Sequence, residues 1–176
     1  LDLCGLKGTF FVEALGAAYF GEEGLREVVQ ALRGRGHDVQ LHTHPVQRRA
    51  DFRSRGEKGA PDNIADYPVE EQTGLLRDGL DALVRCGVPR EELNSFRAGN
   101  FGASNDTWLA MAKAGLALSS NFNLCYLTKN CKIRWPRTEN ALFDTGVGVW
   151  ELPISNFAER GGGYRHTQIT AVSFAE

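Results

Sequence analysis

The longest apolar runs of this 176-residue chain fall far short of the ~20 consecutive apolar residues that a membrane-spanning helix needs. A basic surplus is also missing. Lys and Arg number 20 against 22 Asp and Glu, for a net charge of −2 and a pI near 6.1, so nothing favours a nucleic-acid partner. Cys4, Cys86, Cys125 and Cys131 form no C-x-x-C pair. Cys125 and Cys131 are close enough in sequence to pair or to bind metal. Reduced, buried thiols are the expectation in a domain of this size, with no disulfide framework. What is present is enough apolar material, 42%, to build a core, so residues 1–176 are expected to form one domain. The opening Leu-Asp-Leu-Cys-Gly-Leu reads as the tail of a helix already under way, and the chain is expected to be an internal fragment of a longer protein. Compartment and oligomeric state leave no mark in the sequence.

The pattern alternates strand and helix. Gly8 to Glu13 is β-branched and aromatic, and reads as a buried strand. From Glu22 to Arg35, Leu25, Val28, Val29 and Leu32 recur at helical spacing, with acids at the start, arginines near the end and Gly36 as the stop. A second strand follows, completing a β-α-β unit whose crossover should be right-handed and parallel. Val46 to Asp66 reads as a long polar connection, basic through Arg48, Arg49, Arg53 and Arg55, that either covers a site or lies solvated on the surface. A helix is expected from Pro68 through Val84, a strand over 94–98, a helix from Ser104 to Ala114 and a strand over 117–120. Trp150 to Ile154 should be another strand, and Thr167 to Phe174 a last strand or the start of a helix. Such repetition of β-α units points to an α/β barrel or an open parallel sheet.

Histidine is scarce, with four in the chain, yet two fall within three positions in Gly36-His37-Asp38-Val39-Gln40-Leu41-His42-Thr43-His44-Pro45. Strand side chains alternate, so Gln40, His42 and His44 share one face while Val39 and Leu41 occupy the other. His42 and His44 then lie ~7 Å apart along the strand, near enough for two imidazoles to converge on one divalent ion. Pro45 cannot continue the ladder. The pair thus sits at the carboxyl end of a strand, where α/β proteins place their chemistry. Structural or exposed histidines are the alternative. His37 should face the Val39 side, in a structural role.

Lys7-Gly8-Thr9-Phe10-Phe11-Val12, the helix after it, and the Gly36–Pro45 segment together resemble the polysaccharide deacetylase superfamily, the NodB-homology domain. Phe96-Arg97-Ala98-Gly99-Asn100-Phe101 is similar to that family's F-R-x-P-[YF] segment, and Trp150-Glu151-Leu152-Pro153-Ile154 to its E-[LI]-P strand. The resemblance implies a distorted (β/α) barrel of about seven strands, incomplete in this chain. It also implies metal-dependent hydrolysis of acetyl groups on an N-acetylated sugar or polysaccharide, with a carbohydrate as partner. The implied cofactor is a divalent metal, often zinc, held by an Asp and two His. His42 matches the first metal histidine. The family's second histidine comes four residues later, where this chain has Val46, so either His44 replaces it or the site has lost a ligand. Arg97 matches the arginine that orients the catalytic Asp, and Asn100 or Phe101 falls where a backbone N–H holds the oxyanion. The family's paired Asp strand has no counterpart here and is expected upstream of Leu1. Asp2 does not substitute for it, and His166 is a weaker match to the family's late catalytic histidine than to an exposed loop residue.

Three other residues carry open readings. Glu13 ends its strand either as an acid/base or substrate contact or as a solvated strand end. Glu151 is a cross-strand surface charge or a site residue. Trp135 and Trp150 either stack on a sugar or pack in the core or rim. Two further functions compete with the deacetylase. One is another H-x-H metallohydrolase of the amidohydrolase or PHP type, disfavoured because a full β-α unit precedes the motif. The other is a degenerate barrel that binds a glycan without catalysis.

Overall fold

The computed structural model describes residues 1–48, 61–136 and 140–167. It is a mixed α/β structure built on a six-stranded, mostly parallel sheet. In chain order the elements that matter are β1 (Thr9–Glu13), α1 (Ala17–Phe20), α2 (Glu22–Arg33), β2 (Asp38–Thr43), α3 (Pro45–Arg48), α4 (Val69–Arg85), β3 (Ser95–Ala98), α5 (Asn105–Ala114), β4 (Leu118–Ser119), β5 (Phe143–Asp144) and β6 (Trp150–Glu151). The sheet runs β1-β2-β3-β4-β6-β5, parallel throughout except for the β5–β6 pair. Among the described residues β1 and β5 are its two edges, with no ladder joining them. A separate hairpin pairs β7 (Asn156–Ala158) with β8 (Tyr164–His166).

One face of the sheet is closed by helices. Val39, Leu41 and Phe96 point that way, and the core continues into Leu76, Leu80 and Leu83 of α4 and Trp108 and Met111 of α5. Leu41, Leu76, Leu83, Phe96 and Met111 have no exposed surface, and each such side chain contributes roughly 1.5–3 kcal/mol of burial. Gly79 lets α4 come down onto β2: a Cβ there would lie 2.7 Å from Leu41 Cδ1. α5 starts with a capping box in which Ser104 and Thr107 satisfy each other's backbone N–H groups, and it ends on Gly115 in the left-handed conformation (φ 75°).

The expected elements are present with these differences. Pro45 ends β2 and also opens α3, where its missing N–H costs nothing. The connection after the histidines is therefore partly helical, and it returns through a 3-10 turn at Ile64–Asp66. Arg48 pairs with Asp78 of α4, while Arg49, Arg53 and Arg55 lie outside the described residues. Pro68 caps α4 from outside instead of starting it. The 150–154 strand shortens to two residues because Pro153 is near. Most of the expected last strand, from residue 168 onward, lies outside the described residues. At the β1 edge the expected apolar cover is thin. Val28 is 47% exposed, and α1 leaves Tyr19 and Phe20 largely open.

Candidate functional site

Register puts three chemistry-bearing side chains in a row. Glu13 of β1 is opposite His42 of β2, and His42 is opposite Arg97 of β3. Aligned residues of parallel neighbours share a face, and this is the face opposite the helices. The Arg97 guanidinium lies 4.3 Å from the Phe11 ring centroid, one pleat below Glu13 on the same side.

The two histidines are held by different devices, each through its Nδ1. His42 donates from Nδ1 to the Arg97 carbonyl oxygen at 2.7 Å. His44 donates from Nδ1 to Asp62 Oδ2 at 2.8 Å. A carbonyl and a carboxylate only accept, so both rings carry a hydrogen on Nδ1, and neither Nε2 has a protein partner among the described residues. The ring centroids are 5.1 Å apart and nearly perpendicular. Burial pushes the His42 pKa below its usual value, which favours the neutral imidazole, the form that binds metal.

Glu13 fixes the backbone of this corner. Its Oε1 accepts from the N–H groups of Leu15 (2.8 Å) and Gly16 (3.4 Å), and Oε2 accepts from His44 N–H at 2.5 Å. The side chain is half-buried, and burial pushes its pKa up against the opposing pull of those N–H groups. The solvated strand end does not describe it, because both oxygens hold backbone donors.

Arg97 donates from Nη2 to Ser120 Oγ at 2.7 Å and from Nε to the Ser120 carbonyl at 3.2 Å. Burial pushes its pKa below the ordinary value, and among the described residues no carboxylate forms an ion pair with it. Asn100 and Phe101 follow in the left-handed region (φ 56° and 53°), a conformation that asparagine tolerates better than most residues. A cleft of about 630 Å³ opens beside Arg97, with Phe101, Ser120, Tyr126 and His166 among its walls. Tyr126 and His166 stack with centroids 5.6 Å apart at 26°. His166 is therefore a half-buried strand residue, not an exposed loop histidine. A second cleft, about 690 Å³ along residues 127–136, touches none of these groups.

Glu151 corrects the surface reading. It has no exposed surface and accepts from Trp108 Nε1 (2.9 Å), Asn121 N–H (2.7 Å), Phe122 N–H (2.8 Å) and the Ser119 hydroxyl. Trp135 stacks on Phe143 at 4.2 Å and belongs to the core, whereas Trp150 is half exposed. His37 is buried against Phe10 on the helix-facing side, and all four cysteines are free thiols.

Asp62 went unnoticed in the sequence. Only its place in a polar segment after the histidines hinted at a role. Two glycines admit it. A Cβ at Gly99 would lie 2.5 Å from the His44 ring, and one at Gly102 would lie 2.5 Å from Asn63 Oδ1 and 2.6 Å from its Cβ. The Gly99–Gly102 turn can therefore press against both the His44 ring and the Asn63 side chain that follows Asp62.

As donors, His42 and His44 fit two positions of a tetrahedral metal site, where Zn–N distances of ~2.0–2.1 Å are normal. Their Nδ1 partners are those of metal-binding histidines, whose second nitrogen generally donates to a carbonyl or carboxylate. Among the described residues no group of three or more His, Cys, Asp or Glu side chains is placed to hold an ion. No helix among the described residues is long and apolar enough to cross a membrane. Fold and site thus describe a mixed α/β protein with a histidine pair at the carboxyl end of parallel strands. Comparison with known proteins returned no matching family model, curated protein or solved structure.

Proposed function

We propose that this chain is the catalytic part of a divalent-metal-dependent hydrolase that removes acetyl groups from an N-acetylated sugar or polysaccharide. The observation that carries the reading is the pair of imidazoles, His42 and His44, each fixed with its hydrogen on Nδ1 and its Nε2 free of protein partners among the described residues. A zinc-like ion held there would polarise the acetyl carbonyl and lower the pKa of a bound water. The protein's share is positioning. Glu13 fixes the His44 backbone. Arg97, anchored by Ser120 and stacked on Phe11, presents a half-buried cation one strand from the histidines, suited to orienting a carboxylate base. The Asn100–Phe101 turn brings backbone N–H groups to the same end of the sheet, suited to a developing oxyanion. The Phe101 and Tyr126 rings in the cleft offer a stacking surface to a sugar.

The test is acetate release from N-acetylglucosamine oligomers by the purified chain loaded with zinc or cobalt. The reading predicts release that disappears in His42→Ala. Absence of release from a broad set of acetylated glycans by a chain with bound metal would overturn it.

A glycan-binding domain without catalysis is the second reading. Two observations favour it: the third metal ligand is missing among the described residues, and the Glu13 oxygens are both taken by backbone donors. Binding of the same oligomers without metal and without acetate release would select it.

A further inference from the structure

We infer that Asp62 is a positioning residue that sets the tautomer and orientation of His44, making a histidine two residues after His42 serviceable as a ligand. This rests on the reading of His42 and His44 as a metal pair. Without help, His44 is poorly placed to be rigid. It follows the last residue of β2 and has left the ladder that orients His42. Asp62 supplies what the strand no longer does. Its Oδ2 accepts from His44 Nδ1 at 2.8 Å and from Asn100 Nδ2 at 2.8 Å, and its Oδ1 lies 3.4 Å from Val46 N–H. Both oxygens are thus engaged by protein donors, so Asp62 acts behind the imidazole and not beside it as a further ligand.

The carboxylate is itself held from both sides. The Tyr67 hydroxyl donates to the Pro61 carbonyl at 2.7 Å, and Ala65 N–H donates to the Gly102 carbonyl at 2.9 Å. These ties attach the returning connection to the turn that follows Arg97. Gly99 completes the arrangement, since any side chain there would occupy the space of the His44 ring. Val46, Gly99 and Asp62 therefore form one local solution. The ring over Gly99 is the one that Asp62 grips, and the residue four after His42 contributes its N–H and not an imidazole.

The experiment has two arms on the full chain. In the metal-free protein, at a pH where the imidazoles are neutral, 15N shifts should show His44 as the Nδ1–H tautomer, and Asp62→Ala should turn this into a mixture of tautomers. In cobalt titrations followed by visible absorption, Asp62→Ala should weaken affinity roughly 10–100-fold, the range found for outer partners of ligating histidines. Asp62→Asn keeps an acceptor oxygen and should recover part of the loss. A purely structural Asp62 would lower the melting temperature of Asp62→Ala while leaving the His44 tautomer and the cobalt spectrum as in the native chain, and that result overturns the assignment. Failure of the native chain to bind cobalt would overturn the metal reading instead.

Discussion

Glu151 and Asp62 each gather several donors near the carboxyl end of the sheet, yet they do different work. Glu151 sits on the helix-covered face with no exposed surface, and its four donors come from β4, α5 and the backbone after Ser120. Every partner in that cluster is satisfied. Asn121 passes the order on by accepting from Ala98 N–H at 2.6 Å, so the network shapes the end of β3. Asp62 is half-buried, and the chain of bonds that begins at it ends on an imidazole nitrogen with no protein partner among the described residues. A closed network stabilises a shape, whereas one that ends on an unpartnered imidazole nitrogen can prepare a ligand. Burial alone would have ranked the two carboxylates the other way.

That contrast can be broken by substitution. The largest effect is expected from His42→Ala, which should abolish bound metal and acetate release together, at a stability cost near the ~1 kcal/mol of one hydrogen bond. Retained stoichiometric metal would remove His42 from the site. Glu151→Ala should do the reverse. It leaves three buried N–H groups without a partner and should cost about 3–5 kcal/mol in urea unfolding, with molecules that remain folded still binding metal. Arg97→Ala should lower turnover by about 10²-fold, as a misplaced reacting group does, and leave metal content intact. Full activity in a folded variant would exclude Arg97. Gly99→Ala forces the His44 ring aside and should cost about 1–3 kcal/mol, with weaker metal binding as the more sensitive readout. Ser120→Ala should be the mildest, near 0.5–1.5 kcal/mol, with a smaller loss of turnover than Arg97→Ala because the Ser120 carbonyl still accepts from Nε.

The parts legible in the sequence are those set by short periods. Alternation predicted His42 and His44 on one face, although β2 ends at Thr43; helical spacing located α2 and α4, and the Ser104 and Gly115 end signals located α5. The parallel order of β1, β2, β3 and β4 followed from the helices between them. Asp62 was not legible because its role depends on a meeting between segments distant in sequence, permitted by Gly99 and Gly102. Neither glycine announces its neighbour. Glu151 misled for a related reason. An acid between Trp150 and Leu152 can read as a surface charge, but the register Phe96–Ser119–Glu151 puts it on the covered face. Of the α2 stripe only Val29 is fully buried, and Val28 is open where the β1 edge has no neighbour among the described residues. Barrel closure, which the family resemblance implies, rests on ladders that the described residues do not contain.

The most direct measurement of the central claim is zinc-edge X-ray absorption on the zinc-loaded chain. The spectrum should show two imidazole nitrogens per zinc at about 2.0–2.1 Å, falling to one in His44→Ala. A spectrum without imidazole scattering, or one unchanged by His44→Ala, would contradict it.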